Sequence, residues 1–250
     1  TANRDIYVES EQEIGGLLES AGVDQVDYRT AIVNPLVRNE EILYQLNGMS
    51  MYSSTNTEEM WNFVKNMGFE NLENRFQYAG STEVTDMLLG IRYLFCRNTR
   101  KLHTVYKKIG ESQSFDLYEN PRALKAGYMV SDSVLDYAME GTDPLEVQNR
   151  LLSGIAGKRL YKMQTVSSEA VWAGTVDFDI SLKEGEHGYL YIPGTEPETV
   201  TINGQEQKSD YWNNNFLDLG TYDTDTVVHV TAETGMQEAV LGTYRESDLD

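Results

Sequence analysis

Gly80-Ser81-Thr82-Glu83-Val84-Thr85-Asp86-Met87-Leu88-Leu89-Gly90-Ile91-Arg92-Tyr93-Leu94-Phe95-Cys96-Arg97 carries two periodicities in succession. Gly80, Ser81 and Thr82 are loop and N-cap types, and Glu83 and Asp86 put carboxylates in a first turn, where the helix dipole favours them. Val84, Met87 and Leu88 then recur at helical spacing until Gly90 ends the helix. From Ile91 the period becomes two, because Ile91, Tyr93 and Phe95 alternate with Arg92, Leu94 and Cys96 over strand-favouring residues. A helix running straight into a buried strand is a folding centre, and the N-terminal half is expected to assemble on it.

Upstream, Ser10 and Glu13 fit a capping box, followed by Ile14, Leu17, Leu18 and Ala21 on one helical face before Gly22. Gly15 and Gly16 weaken this helix, so it needs tertiary support. Residues 26–33 read as a strand closed by Asn34-Pro35, and residues 40–46 as a short apolar segment of either type. Thr55 and Glu58 fit a second capping box, opening a helix along Met60, Phe63, Val64 and Met67 to Gly68. Downstream, residues 101–108 and 114–118 are expected to pair as a hairpin joined through Gly110. Glu119-Asn120-Pro121 breaks the second strand, and residues 126–130 read as another short strand. Asp143-Pro144 opens a helix along Leu145, Gln148, Leu151, Leu152 and Ile155 to Gly157.

Beyond Leu160 the pattern changes to roughly eight short strand-like runs with turn signals every ~8 to 12 residues, the signature of an all-β sandwich. They include 176–182, 188–192, 199–202, 216–219, 227–232 and 239–244, with Asn203-Gly204 as a tight-turn signal. The expected fold class is therefore α+β. A mixed α/β part (1–157) precedes a C-terminal antiparallel, jelly-roll-like β-sandwich (158–250).

The 250 residues include 20 Lys and Arg against 40 Asp and Glu, and a formal charge of -20 repels phosphate backbones and anionic lipid surfaces and argues against nucleic acid as a partner. No run approaches the ~20 apolar residues of a membrane helix, and the start lacks the basic and apolar regions of a signal peptide. The expectation is a soluble piece, with any targeting information outside these residues. The lone Cys96 excludes an internal disulfide and reads as a buried structural thiol. No cofactor is expected. His103, His187 and His229 are too scattered for a zinc site, Tyr52 stands where a nucleophile elbow needs glycine, and Gly15-Gly16 lacks the spacing of a phosphate loop. Asp177 and Asp179 alternate with Val176, Phe178 and Ile180 and read as one solvated strand face, while Asp223-Thr224-Asp225 reads as a turn, with a calcium-holding turn as the alternative. Tyr211-Trp212-Asn213-Asn214-Asn215 has the aromatic and amide mix of a carbohydrate-facing loop, with Tyr211, Trp212 and Asn214 as candidate contacts, or of a surface loop anchored by its tryptophan.

Three motifs carry a family resemblance. Gly48-Met49-Ser50-Met51-Tyr52-Ser53-Ser54, then the stretch from Val84 to Leu94, then Tyr118-Glu119-Asn120-Pro121 with Leu124 and Gly127 resemble, in order and spacing, the extracytoplasmic region of the YfhO family. Its members are bacterial multi-pass membrane proteins similar to lipid-sugar-dependent glycosyltransferases. Two positions depart from the family pattern: Lys125 replaces a common proline, and Glu198-Thr199-Val200 replaces a Gly-Trp pair. The resemblance implies a segment on the extracellular face of the bacterial cell membrane, between transmembrane parts of the same polypeptide that would carry the transfer chemistry. It further implies cell-wall or lipoteichoic-acid polymer, or a lipid-linked sugar, as a partner of the whole. The segment itself is expected to be non-catalytic, recognising an acceptor or acting as a scaffold. The alternatives are a carbohydrate-binding module and a hydrolase using Glu119 or Asp86, although Asp86 also reads as a helix-start charge and Glu119 as a turn residue. Within the motifs Tyr52, Ser53, Ser54, Arg92 and Asn120 are the candidate binding residues, and Arg92 calls for a carboxylate partner, Glu119 or Asp86.

Overall fold

A computed structural model describes residues 4–72, 75–97, 105–136, 141, 143–172, 174–207 and 215–249. In chain order the first elements are α1 (Arg4–Ala21), β1 (Arg29–Val33), α2 (Glu40–Leu43), β2 (Met51–Tyr52), α3 (Glu58–Asn66), β3 (Asn71–Leu72), β4 (Arg75–Phe76), α4 (Glu83–Leu88) and β5 (Ile91–Cys96). Next come β6 (Lys107–Glu111), β7 (Asp116–Glu119) and α5 (Pro144–Ala156). The last nine strands are β8 (Lys162–Ser167), β9 (Glu169–Trp172), β10 (Thr175–Leu182), β11 (Glu186–Tyr191), β12 (Val200–Ile202), β13 (Gln205–Glu206), β14 (Phe216–Thr221), β15 (Thr226–Glu233) and β16 (Glu238–Arg245). The fold is α+β and falls into two units, residues 1–56 with 71–129 and residues 57–70 with 130–250.

In the first unit a mixed sheet runs β1-β5-β7-β6, with β1 parallel to β5 and the other pairs antiparallel. The α4–β5 stretch forms as its sequence requires. Thr82 caps α4 by accepting the Thr85 amide at 3.1 Å, and Thr85 Oγ1 in turn accepts the Thr82 amide at 2.8 Å. Gly90 then takes φ +68°, and a Cβ there would stand 2.7 Å from the Leu124 carbonyl oxygen, so only glycine makes this turn. Tyr93 and Phe95 face a core built with Ile14 and Leu17 of α1, Ile32, Tyr44, Leu46, Phe115 and Leu117.

The structure departs from the local sequence pattern at several points. Helix α1 starts at Arg4, so Ser10 lies inside it, buried rather than capping. Strand β1 starts at Arg29, because Asp24 Oδ1 holds the amides of Val26 and Asp27 in a turn. The β6–β7 turn sits at 112–115, closed by the Ser112 amide on the Phe115 carbonyl at 2.7 Å, and Gly110 lies within the strand at a register shift. Residues 126–130 form no strand and are solvent-exposed; isolated bonds such as the Ala126 amide to the Asp27 carbonyl hold them instead of a sheet edge.

The second unit holds α3, α5 and the sandwich. Thr57, not Thr55, caps α3, accepting the Met60 amide at 3.3 Å. Asp143 caps α5 through the amides of Leu145 and Glu146, and Gly157 ends it at φ +69°. Two antiparallel sheets, β13-β12-β15-β10-β9 and β14-β11-β16-β8, enclose one apolar core that takes Val176, Phe178, Ile180, Val228 and Val230 from the first and Leu190, Ile192, Leu217 and Leu241 from the second. Asn203 (φ +50°) and Gly204 (φ +74°) make the tight turn between β12 and β13. The other face of the second sheet is buried as well: a Cβ on Gly242 would lie 2.9 Å from Leu145 of α5, and Tyr161 packs edge-on against Tyr189 and Tyr244. Helix α5, placed before the expected boundary at Gly157, thus belongs to the unit that contains the sandwich. No helix among the described residues is long and apolar enough to cross a membrane.

Candidate functional site

Of the four described residues other than glycine with positive φ, three fall between 34 and 45: Asn34 (+58°), Asn39 (+60°) and Gln45 (+56°). Left-handed backbone costs such residues about 1 kcal/mol or more, which concentrates attention on what it achieves here. It turns the two acids of α2 inward. Glu40, 1 % exposed, receives two bonds from Arg97 at 2.7 and 2.5 Å, the Tyr44 hydroxyl at 3.0 Å and the Leu36 amide at 2.7 Å. Arg97 also reaches Ser10 Oγ at 3.2 Å and lies 4.3 Å from the centre of the Phe115 ring. Glu41, 2 % exposed, accepts the amides of Ile32 (3.1 Å), Met49 (2.9 Å) and Ser50 (2.7 Å) and the Ser50 hydroxyl (3.1 Å). Burial pushes its carboxyl up to about 7 against the opposing pull of these donors. A Cβ on Gly48 would lie 2.3 Å from Glu41 Oε2, so the Gly48-Met49-Ser50 motif is the wrapping that this carboxylate needs.

In front of Glu41 lies a hollow of about 10 Å³, room for one water molecule, bordered by Arg38, Asn39, Ser50, Tyr52, Arg75 and Gln77. Asn39 uses its left-handed backbone to aim its side chain at both backbone groups of Tyr52, donating from Nδ2 to the carbonyl (3.0 Å) and accepting the amide at Oδ1 (2.6 Å). Tyr52, 46 % exposed, lies under the Arg38 guanidinium at 4.9 Å. Chemically the mouth offers a cation and an aromatic ring, while the acid behind it is enclosed by donors.

Ser53 shares a 2.8 Å bond with the Thr55 hydroxyl and accepts the Thr55 amide, a local turn, and Ser54 is exposed beside it. Arg92 and Asn120 come together elsewhere. Arg92 Nε and Nη2 meet Glu119 Oε1 at 2.9 and 2.6 Å, and its guanidinium lies 4.5 Å from the centre of the Tyr28 ring. Glu119, a β7 residue rather than a turn residue, is thus the partner that Arg92 called for. Asp86 stands in the first turn of α4, as its sequence position indicates, and there it is fully buried and accepts the hydroxyls of Tyr78 and Tyr106, each at 2.7 Å. Burial beside this carboxylate raises both phenols. Asn120, 1 % exposed, gives its amide to the Arg92 carbonyl at 2.7 Å and accepts the Arg122 amide at Oδ1, so it shapes the turn at Pro121. Tyr211, Trp212, Asn214 and His103 lie outside the described residues.

In the second unit Asp177 and Asp179 share a face, as their spacing indicates, where they bond Thr231 and His229 across the strand pair. Asp225 takes Lys183 at 2.8 Å and the Glu184 amide at 2.9 Å. Among the described residues no group of three or more His, Cys, Asp and Glu side chains could hold a metal ion. His187, too far in sequence from the other histidines for a zinc site, is buried between Tyr189 and Tyr244, with Nε2 2.9 Å from Asp218 and Nδ1 2.9 Å from Thr221 Oγ1, an environment its sequence neighbours do not signal. An open hollow of about 420 Å³ nearby in the chain is lined by Thr175, Thr195, Glu196, Glu198, Glu233 and Thr234. Sequence reasoning missed Glu40, Glu41 and Arg38. Their signal was present in two adjacent acids inside a short apolar run next to Gly48.

Comparison with curated proteins and comparison with solved structures each find no match. Comparison with protein families matches residues 7–242 to the family described as bacterial membrane protein YfhO, a span that takes in Gly48 to Ser54, the α4–β5 stretch and most of the sandwich. With nearly its whole length matched, the chain belongs to the YfhO family of bacterial membrane proteins.

Proposed function

We propose that this chain is the part of a membrane glycosyltransferase-like protein that stands at the extracellular face, non-catalytic by itself, where it holds or recognises the acceptor glycan. The observation that carries the reading is the family match over residues 7–242 of a chain in which no described helix could cross a bilayer. The fate of the charged groups supports the non-catalytic role: Glu40, Arg92, Glu119 and Asp86 are bonded to other side chains, and backbone amides surround Glu41. At -20 the chain favours a neutral glycan over a polyphosphate acceptor, and the hydroxyls and carboxylates of the hollow at Thr195 and Glu233 suit sugar hydroxyls. Transfer from a polyprenyl-phosphate sugar belongs to the membrane part of the same polypeptide.

One experiment tests side and role together. In intact cells a Ser54→Cys variant of the whole protein is expected to react with a membrane-impermeant maleimide, whereas Cys96, 2 % exposed, stays silent. Labelling only after permeabilisation would place the segment on the other side. Purified alone, the chain is expected to bind neutral cell-wall glycan fragments and turn over none of them, and reproducible transfer or hydrolysis would sink the non-catalytic role.

A further inference from the structure

Helix α2 is built inside out. Its two acids, Glu40 and Glu41, are 1 % and 2 % exposed, while its two aliphatics, Ile42 and Leu43, are 56 % and 51 % exposed. An ordinary surface helix does the reverse. The two acids are held in place by specific bonds, so the arrangement is imposed by the fold and is not a frayed end. Nearby residues continue the pattern: Leu36 is 46 % exposed and bonds Glu40 through its amide, and Tyr52 is 46 % exposed and tied to Asn39, the residue before the helix. Residues 34–54 hold three charged side chains, and with both acids buried Arg38 is the one that faces solvent. On a chain of charge -20 this is a small apolar and cationic island.

We propose that this island is a docking surface for a phospholipid bilayer. Ile42 and Leu43 enter the headgroup–acyl boundary with Leu36 beside them, Arg38 bonds lipid phosphate, and Tyr52 lies at the headgroup level where an amphipathic ring is favoured. Charge complementarity selects this occupant. Arg38 matches phosphate, and burial of Glu40 and Glu41 removes the carboxylates that would otherwise repel it. The remaining acidic charge opposes a strongly anionic surface as it opposes a polyphosphate, but it is largely screened beyond ~8 Å at physiological salt, so a surface made mostly of zwitterionic lipid is the one that fits. The inference rests on membership of a membrane-protein family and on this surface, not on the acceptor-holding role, so either can fail without the other.

The test is sedimentation of the 250-residue chain with vesicles of phosphatidylethanolamine containing a minority of phosphatidylglycerol. Binding is expected, falling about tenfold in an Ile42→Ser/Leu43→Ser variant and several-fold in Arg38→Gln. All three positions are exposed, so urea midpoints should stay at the parent value and separate lost docking from lost folding. Absence of vesicle binding by the parent chain, or binding that the double substitution leaves unchanged, would overturn the proposal. So would concentration-dependent dimerisation without vesicle binding that the double substitution abolishes, because that assigns the island to a second copy of the chain.

Discussion

Glu41 couples its proton to the fold. Its carboxyl is near 7 in the folded chain and at 4.5 in the absence of structure, so between those values the folded state binds more protons than the unfolded one. Stability contributed by this group is therefore fully present below about 4.5 and is lost as pH rises through about 7. Replacing Glu41 by Ala removes that dependence and leaves the amides of Ile32, Met49 and Ser50 without their acceptor, a cost of about 3 kcal/mol. The expected result is that Glu41→Ala costs more at pH 5 than at pH 8, read from urea midpoints of the two proteins at both pH values. Equal losses would show that Glu41 stays ionised throughout. Little of this was legible in the sequence. Gly48-Met49-Ser50 stood out as a motif, but an acid within a short apolar run reads as the wet side of a helix. Only the left-handed turn at Asn39 reverses that, and a left-handed asparagine has no sequence signal as firm as that of glycine.

The α4–β5 unit shows the opposite case, in which local signals suffice. Cap, first-turn acids, terminal glycine and alternating strand lie within one stretch, and each acts through near neighbours. Gly90 and Gly157 share almost the same backbone, φ +68° and +69°, but a Cβ at Gly90 would meet the Leu124 carbonyl at 2.7 Å, whereas at Gly157 nothing lies within 4 Å. Gly157→Ala should thus cost about 1 kcal/mol, the penalty of left-handed backbone alone, and Gly90→Ala at least twice as much. Thermal melts of the two variants provide the check, and equal shifts would mean that the loop at Leu124 yields freely. Elements that depend on distant partners were harder to place. Local sequence places the β6–β7 turn at Gly110, yet Glu13 of α1 builds it at 112–115 by accepting the Ser112 hydroxyl and the amide and hydroxyl of Ser114. The parallel pairing of β1 with β5 likewise joins residues about sixty positions apart and leaves no local trace.

At the scale of the molecule, the sandwich was legible because its strands alternate, but its extent was not. Two helices complete it, one of them from a chain segment before the first unit resumes at Asn71. In α5, Asn149 Oδ1 accepts the amides of Leu160 and Tyr161 at 2.9 Å each, and its Nδ2 donates to the Tyr161 carbonyl. Gln148 accepts the Tyr161 hydroxyl at 2.8 Å and donates to the carbonyl of Met67, the residue that ends α3. These buried amides lie behind Tyr161 and hold it against Tyr189 and Tyr244, the aromatic layer on the outer face of the β14-β11-β16-β8 sheet. A chain of residues 158–250 keeps every described strand of the sandwich and Tyr161 but loses both helices and the amides that hold Tyr161 in place, exposing an aromatic face that a lone sheet cannot shield. It is expected to melt without cooperativity or to aggregate. Residues 130–250, which keep α5 but lack the Met67 carbonyl, should melt cooperatively at about 2 kcal/mol lower stability than the intact chain. Circular dichroism melts of the two truncations decide the matter: a cooperative transition in 158–250 matching that of 130–250 would mean that the sheets stand without α5, and that the bonds at Gln148 and Asn149 follow the fold rather than complete it.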